Sequence, residues 1–494
     1  MKNSFPFTAV YFVGIKGVGM TSLAVIAQER GCAVYGSDVQ EEFVTDELLK
    51  KHHITPRVGF KSSNILKSLS SYKPEEVLVV VTGAHQGVKN PEAVYAKKLH
   101  YTVLTHGEAL GRFMQGKKQI SVAGSHGKTT TSAMIAHILS KSKKDPSFAV
   151  GAGSVLSLST SGKWGNGDYF VAEADEYVSD PLSDKTPRFL YQKPHIAVIT
   201  SIDFDHPDVF KSVDDVRNVF ISFANQTEQT GCVIANIDDS QVVRAVSEIS
   251  SRKITYGISE RADVRIGSIS TKDQKSTFDL RIKNKKVCTI LLTVPGFHNM
   301  QNATAAAIAA HEAGVSWRDI ARTLATFSGT KRRFEFIAEH NGIKIYDDYA
   351  HHPREIEATL TAAKTWYPDS RIIVLFQPHT YSRTKALFND FVTCFSSASH
   401  IGICDIFASA REKVDKQISS QKLAAEIQKQ NPNTYYVKDA KDFYEKIGRK
   451  LSQNDILCTM GAGDIYTWHK AIIKYLSLRT KSNQTRRSEA IPLK

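Results

Sequence analysis

One loop carries the residue types of a phosphate-binding site, Val122-Ala-Gly-Ser-His-Gly-Lys-Thr-Thr-Thr-Ser132. The common phosphate loop reads Gly-x-x-x-x-Gly-Lys-Ser/Thr, and its backbone N–H groups and lysine bind phosphate oxygens. Here Gly127-Lys-Thr129 matches the end of that pattern, but valine takes the first position and a glycine follows at 124. An apolar strand precedes the loop and a helix follows it. The N-terminus of that helix would add its partial positive charge to the phosphate site. The expected nucleotide contacts are Gly124, Ser125, His126, Gly127, Lys128, Thr129 and Thr130.

Two acidic clusters follow predicted strands and could hold the metal ion that such a loop requires. Glu173-Ala-Asp-Glu176 ends the strand that begins at Tyr169, and Asp203-Phe-Asp-His206 ends the strand that begins at Ile196. Mg²⁺ takes one or two carboxylates together with water and phosphate oxygens. The sequence therefore predicts a Mg²⁺ site near the phosphate loop, in which Thr129 could also be a ligand.

A second glycine-rich loop, Gly14-Ile-Lys-Gly17-Val-Gly19-Met20, follows the strand Val10-Tyr-Phe-Val13. Ser37 and Asp38 come about 20 residues later, where a dinucleotide-binding fold places an acidic residue on a ribose. The glycine spacing differs from Gly-x-Gly-x-x-Gly, so the loop alone leaves open NAD, a nucleotide sugar or a tight turn.

Charged and imidazole side chains gather in three segments of the last third of the chain. These segments are Arg332-Arg-Phe, Asp347-Asp-Tyr-Ala-His-His352 and Gln377-Pro-His-Thr-Tyr-Ser-Arg383. Arginine suits carboxylates and phosphates because its planar fork can bond two oxygens at once. Together the segments indicate a site for a small anionic substrate.

Alternating apolar strands and helical stretches predict an α/β fold with parallel sheets. The pattern runs through residues 8–110 and 119–325, and strands beginning at Ile343, Ile372, Ile401 and Ile456 follow in the last part. Between 253 and 295 short alternating segments favour a small antiparallel sheet. Ligands of parallel sheets bind beyond the carboxyl ends of the strands, where most of the polar clusters fall.

Composition indicates a soluble globular protein of 494 residues with 41% hydrophobic and 23% charged residues. The sequence contains no run of about 18 apolar residues, so we expect no membrane span. The N-terminus lacks the pattern of a signal peptide. The six cysteines form no Cys-x-x-Cys pair, which suits a reducing cytoplasm. The formal charge is +14. The basic residues are dispersed without an aromatic stripe, so we expect no nucleic-acid partner.

In this order the motifs resemble those of the Mur ligase family, the ATP-dependent amide ligases of bacterial cell-wall precursor synthesis. The match also includes Phe297-His-Asn-Met-Gln-Asn-Ala-Thr and Met460-Gly-Ala-Gly-Asp464, so it spans nearly the whole chain. The resemblance implies three domains: a Rossmann-like UDP-sugar domain (1–112), a P-loop-type ATP domain (113–327) and a Rossmann-like C-terminal domain (328–478). A basic tail, predicted to be disordered, follows at 479–494.

The family resemblance also implies roles for individual residues. ATP and Mg²⁺ would bind at Lys128 and Thr129, with Glu173 and His206 as further metal ligands. The expected contacts to the sugar nucleotide are Gly14, Gly17, Gly19, Met20, Ser37 and Asp38. Further expected nucleotide contacts are Asn299, Arg332 and Asp347. His351, His352 and Arg383 would line the place where the acyl group meets the incoming amine, with Lys128, His206, His351 and Arg383 as catalytic residues.

The substrates that the resemblance implies are UDP-N-acetylmuramate and L-alanine, joined through an acyl phosphate. Two features depart from that pattern. Ser125 replaces the usual threonine. The segment from Tyr177 to Lys193 resembles the corresponding segment of the enzyme that attaches a recycled tripeptide. Tripeptide ligation is therefore the alternative within the family, and an NAD-dependent oxidoreductase is the alternative outside it. We expect a cytoplasmic monomer or homodimer without a membrane partner.

Overall fold

The computed structural model describes residues 5–181, 183–408, 412 and 414–477. The predicted basic tail, 479–494, lies outside these residues. The described residues form two compact units. The first lies within residues 1–270, 275–294 and 298–331, and the second within 271–274, 295–297 and 332–494.

The first unit begins with a five-stranded parallel sheet in the order β3-β2-β1-β4-β5. Its strands are β1 (Ala9–Val13), β2 (Ala33–Asp38), β3 (Arg57–Val58), β4 (Val77–Val81) and β5 (Thr102–Thr105). Its helices are α1 (Val18–Glu29), α2 (Asp46–Lys51), α3 (Ser62–Leu69), α4 (Pro91–Lys98) and α5 (His106–Met114). Strands β1 and β4 are buried along their whole length, which explains their continuous apolar sequences.

A ten-stranded sheet in the order β17-β16-β15-β14-β13-β12-β6-β9-β7-β8 forms the rest of the first unit. Its strands are β6 (Lys118–Ala123), β7 (Ser147–Ala149), β8 (Gly162–Lys163), β9 (Tyr169–Ala174), β12 (Pro194–Ile199), β13 (Cys232–Asn236), β14 (Lys253–Gly257), β15 (Val264–Lys272), β16 (Lys275–Ile282) and β17 (Lys285–Leu292). A separate antiparallel pair consists of β10 (Val178–Asp180) and β11 (Asp184–Pro187). The helices are α6 (Lys128–Lys141), α7 (Val213–Ala224), α8 (Ser240–Glu248), α9 (Phe297–Glu312) and α10 (Trp317–Leu324).

The second unit contains a six-stranded sheet in the order β18-β19-β23-β20-β21-β22, which is parallel except for β18. The strands are β18 (Glu335–His340), β19 (Ile343–Asp348), β20 (Ile372–Phe376), β21 (His400–Ile403), β22 (Thr434–Tyr436) and β23 (Ile456–Met460). The helices are α11 (Pro353–Trp366), α12 (Tyr381–Ala386), α13 (Phe388–Thr393), α14 (Ser420–Gln428) and α15 (Ala440–Lys446).

The architecture confirms the predicted α/β class with parallel sheets. The antiparallel strands expected between 253 and 295 are β16 and β17, whereas β14 pairs in parallel with β13. Apolar residues at 120, 122, 171, 196 and 198 form the central core together with α6 and α9. None of the described helices has both the length and the apolar composition needed to cross a bilayer.

Candidate active site

The phosphate loop joins β6 to α6 and is held in shape by residues that follow β12. Gly124 and Gly127 both have positive φ angles, of 148° and 84°. The Thr200 hydroxyl donates to the His126 carbonyl at 2.5 Å, and the His126 N–H donates to the Ser201 hydroxyl at 3.0 Å. Because β6 and β12 are neighbouring parallel strands, the loop and its support lie at the same sheet edge.

Replacing Gly124 by alanine tests this packing. A Cβ atom at Gly124 would collide with the Thr200 hydroxyl, in addition to the strain of a positive φ. We expect Gly124→Ala to lower the free energy of unfolding by about 2–4 kcal/mol, from overpacking plus strain. It should also weaken ATP binding by distorting the loop. Urea denaturation and calorimetric titration with ATP measure the two effects.

Gly31 provides a matched control for that experiment. Its φ is also positive, at 87°, but a Cβ there would meet no atom within 4 Å. Gly31→Ala should therefore show only the strain, about 1–2 kcal/mol, and normal ATP binding. Equal losses in the two variants would contradict the packing that we assign to Gly124.

Lys128, the first residue of α6, makes an ion pair inside the first unit. Its Nζ lies 2.9 Å from Glu176 Oε2 and donates to the Gly124 carbonyl at 2.6 Å. Burial alone would lower the pKa of Lys128, but the carboxylates of Glu176 and Asp175 outweigh it and raise that pKa. The lysine is therefore fully charged, as a residue that neutralises phosphates must be.

The acidic motif after β9 supplies groups suited to Mg²⁺. The Thr129 hydroxyl donates to Glu173 Oε2 at 3.0 Å, and the Gly151 N–H donates to Glu173 Oε1 at 2.5 Å. Ligand atoms of Asp175, Glu176 and His206 lie within 4.8 Å of one another. Glu176 is 1% exposed, and among the described residues its Oε1 has no hydrogen-bond partner. Oxygen ligands and an unsatisfied buried carboxylate oxygen fit the predicted Mg²⁺.

Further side chains brace the loop from two sides. His126 Nε2 lies 3.1 Å from Asp203 Oδ2, and the Ser125 hydroxyl accepts from the Asp203 N–H at 2.8 Å. On α9, Asn302 donates to Asn299 at 3.1 Å, and a Cβ at Gly127 would lie 2.5 Å from the Asn302 side-chain oxygen. Asn302 thus lies between the phosphate loop and Asn299, the residue predicted to contact the nucleotide.

The N-terminal glycine loop lies between β1 and α1. Gly14 packs on Thr82, and a Cβ at Gly19 would lie 2.6 Å from His106 Nε2. The Asp38 carboxylate accepts from the Lys16 N–H at 2.7 Å, which ties the loop to the end of β2.

Of the remaining predicted residues of this site, Met20 and Ser37 are buried, whereas Gly17 is half-buried. Met20 is 3% exposed and packs in the N-terminal core. The Ser37 hydroxyl donates to the buried Glu92, and Gly17 is the residue before α1. Backbone N–H groups at the start of α1 could donate to a phosphate, as helix N-termini commonly do, and this role stays a prediction.

A cavity of about 440 Å³ lies next to this loop. Its lining combines apolar side chains with mostly basic charged ones, among them Lys16, Val39, Asp46 and Arg57. A cavity of this size and composition can hold a base and sugar.

In the second unit, Arg332 is buried in a network around Asp347. Its Nε donates to Asp347 Oδ2 at 2.9 Å, and its two Nη groups donate to the carbonyls of Gly463 and Gly461 at 3.1 and 2.6 Å. The guanidinium also lies 4.5 Å from the centre of the Tyr466 ring. Arg332 therefore positions Asp347 and the glycine loop after β23.

The histidine and arginine residues predicted for the amine site also lie in the second unit. His351 Nδ1 is 3.0 Å from the Tyr349 carbonyl, and His352 caps α11. Arg383 is 5% exposed, and its Nη1 lies 3.3 Å from His379 Nδ1. The Glu412 carboxylate accepts from the Tyr381 N–H at 2.7 Å and thereby anchors the start of α12.

Asp348 gives a pH-dependent prediction. Burial, partly offset by Arg333, raises the pKa of Asp348 to about 6, although it accepts from the Phe334 and Ala350 N–H groups at 2.8 and 2.7 Å. A carboxyl group whose pKa is raised in the folded state stabilises the fold when protonated and loses that contribution as the pH rises. Relative to Asp348→Asn, the wild-type unfolding free energy should therefore fall by up to about 3 kcal/mol between pH 4 and pH 7. Urea denaturation across this range measures it, and a difference independent of pH would refute the assignment.

Comparison with known proteins identifies the family. Three Mur ligase descriptions match successive parts of the chain: the family's catalytic domain (9–118), its middle domain (122–310) and its glutamate ligase domain (332–463). A relative from Desulfitobacterium hafniense (strain Y51), named UDP-N-acetylmuramate–L-alanine ligase, is 39% identical over 465 residues, covering 94% of this chain and 99% of the relative. The chain belongs to the Mur ligase family.

Solved structures resemble this Mur ligase along most of its length. A UDP-N-acetylmuramate–alanine ligase from Thermotoga maritima has a TM-score of 0.77 at 25% identity and covers 96% of this chain and 99% of its own. A murein peptide ligase from Psychrobacter arcticus has a TM-score of 0.69 at 24% identity, covering 95% and 98%, and shows a shared fold.

Sequence reasoning missed several residues that shape the site of this Mur ligase. Thr200 and Ser201 hold the phosphate loop, and Glu412 anchors α12. The sequence predicts Glu176 as part of an acidic cluster, and the structure pairs it with Lys128 because β6 and β9 are neighbouring parallel strands. The signal in the sequence for this pairing is that both motifs directly follow predicted strands.

Proposed function

We propose that this Mur ligase joins L-alanine to the lactyl carboxylate of UDP-N-acetylmuramate, with conversion of ATP to ADP and phosphate. The observation that carries the chemistry is the cluster of Lys128, Thr129 and Glu173 at the mouth of the phosphate loop. The substrates are supported by the names of the relatives, which cover nearly the whole chain. These names favour the ligase over the oxidoreductase that the Gly14–Gly19 loop left open.

The reaction requires activation because a carboxylate does not condense with an amine in water. The lactyl oxygen attacks the γ-phosphorus of ATP, and ADP leaves, which gives an acyl phosphate. The alanine amine then attacks the acyl carbon, a proton is lost, and phosphate leaves as the amide forms. Phosphoryl transfer depends mainly on positioning and charge neutralisation.

Side chains of this chain provide that positioning. Lys128 would exchange Glu176 for the phosphate oxygens of ATP, and Thr129, Glu173 and His206 would hold the metal. Mg²⁺, when bound, neutralises the phosphate charge. We propose His351 as acceptor of the ammonium proton and Arg383 as partner of the amino-acid carboxylate.

We propose a division of labour along the chain. Residues 1–112 would hold the UDP-sugar, with the uridine in the cavity beside Lys16 and the diphosphate at the start of α1. Residues 113–327 would bind ATP, and 328–478 the amino acid. The predicted cytoplasmic location and the choice between monomer and homodimer stay proposals.

A phosphate-release assay tests the function. The purified chain is incubated with Mg²⁺-ATP, UDP-N-acetylmuramate and, in separate reactions, L-alanine, glycine, L-serine or a tripeptide. We expect phosphate release and a new amide product with L-alanine. Release with the tripeptide alone would favour the alternative, which the resemblance noted in the sequence for the segment from Tyr177 to Lys193 suggests.

A further inference from the structure

The segment from Tyr177 to Tyr191 has no role in the function proposed above. It forms the hairpin β10–β11 and a 3₁₀ turn at Arg188–Tyr191, directly after the acidic motif. Arg188 of this segment bonds to Asp175, the neighbour of the Glu176 that pairs with Lys128, so the segment lies next to the groups that surround Lys128.

The hairpin and turn fit closely against glycines of the N-terminal sheet. A Cβ atom at Gly83 would lie 2.9 Å from the Ser179 carbonyl oxygen, and one at Gly107 would lie 3.2 Å from Arg188 Cα. At Gly87 it would collide with the Asp180 carboxylate, which accepts from the Val88 N–H at 2.9 Å. The segment is thus fixed between the loop after β4 and the start of α5.

Arg188 occupies the centre of this contact. Its Nη1 donates to Asp175 Oδ2 at 2.6 Å, and its side chain is 19% exposed. Its Nη2 would be 3.6 Å from a Cβ at Gly83, and among the described residues its buried Nε has no hydrogen-bond partner. One carboxylate therefore uses only part of a guanidinium that offers five N–H donors.

The contacts of Arg188 connect both substrate loops. Arg188 bonds to Asp175 of the acidic motif and packs on Gly107, the neighbour of His106. His106 in turn packs on Gly19, and the charge of Arg188 adds to the effect of burial in lowering the pKa of His106 to about 4. Arg188 thus lies between the acidic motif at the phosphate loop and the glycine loop of the N-terminal sheet.

We infer that Arg188 binds the lactyl carboxylate of the sugar nucleotide and holds it for phosphorylation. The inference rests on the proposed function. The diphosphate of the same substrate has donors of its own at the start of α1, whereas the carboxylate must reach the γ-phosphate bound by Lys128. Arg188 is bonded to Asp175, the neighbour of the residue that pairs with Lys128, and a planar guanidinium matches a carboxylate.

Binding measurements on the full chain test this assignment. Calorimetry without ATP compares UDP-N-acetylmuramate with UDP-N-acetylglucosamine, which has the same diphosphate but no lactyl carboxylate. Arg188→Ala should weaken the muramate by tenfold or more and leave the glucosamine nucleotide and Mg²⁺-ATP within twofold of wild type. Arg188→Lys should recover part of the loss, because it restores the charge without the fork.

Arg217 offers a matched control in the same unit. Its side chain is 16% exposed and pairs with Asp214 at 2.6 Å, and among the described residues its buried Nε has no partner. It resembles Arg188 in these respects but lies on α7, outside the hairpin and turn. Arg217→Ala should leave all three affinities unchanged.

Three outcomes would overturn the inference. Equal weakening of both sugar nucleotides by Arg188→Ala would mean that the residue serves the diphosphate or the fold. Unchanged muramate binding would remove Arg188 from the site. Wild-type binding of the two nucleotides with equal affinity would show that the carboxylate is not recognised. A wild-type chain that binds neither nucleotide would instead reject the proposed function itself.

Discussion

Replacing Lys128 by methionine is expected to reduce the rate of ligation by roughly 10³- to 10⁵-fold, the range seen when a charge that stabilises phosphoryl transfer is removed. The reason is the position of Nζ at the mouth of the phosphate loop, within 2.6 Å of the Gly124 carbonyl. Phosphate release with saturating substrates measures the rate. Near-normal turnover would show that the loop does not bind the reacting phosphates.

The pairing with Glu176 makes a second variant necessary. Lys128→Met leaves a carboxylate that is 1% exposed without its counter-charge, so the fold should also lose stability. The double variant Lys128→Met/Glu176→Gln removes both charges and should recover most of the stability but none of the activity. Recovery of activity in the double variant would mean that the single change acted through the fold.

Replacing Arg332 by methionine is expected to lower the free energy of unfolding by about 3–5 kcal/mol, the usual cost of breaking a buried ion pair from one side. Asp347 is 1% exposed, and two carbonyls in the loop after β23 would lose their donor as well. Urea denaturation followed by near-ultraviolet circular dichroism measures the change.

Arg322 is the control for this prediction. It lies on α10, pairs with Asp319 at 2.9 Å and is 67% exposed, so Arg322→Met should change the stability by less than about 1 kcal/mol. If the two variants lost the same stability, the network around Asp347 would not have the importance that its burial indicates.

The sequence indicated candidate residues of the site, but not their internal contacts. Lys128, Thr129 and Glu173 could be proposed because phosphate and Mg²⁺ binding demand these residue types after strands, and the strands themselves are continuous apolar runs. The structure places the three residues at one sheet edge, and their binding roles stay predictions. The pairing of β14 with β13 could not be read, because alternation of side chains is the same in parallel and antiparallel strands.

Arg332 shows the other limit of sequence reasoning. Its residue type suggested a contact to the nucleotide, and that contact stays a prediction. The structure adds three bonds to protein groups at positions 347, 461 and 463, which are far apart in the sequence. An arginine that binds a ligand and one that supports a loop have the same one-letter code, so only the fold distinguishes them.

The close fit of the hairpin against glycines restricts how this protein can be recombined with its relatives. A Cβ atom at Gly83 or Gly87 would collide with Ser179 or Asp180, and one at Gly107 would be tightly packed against Ser179 and Arg188. A chimera that takes its N-terminal domain from a relative with larger residues at these positions should fold poorly, even if each parent is stable. Changing the three positions to glycine in the donor domain should restore folding of the chimera. The glycine-bearing loops of the N-terminal domain and the hairpin β10–β11 should therefore be exchanged together.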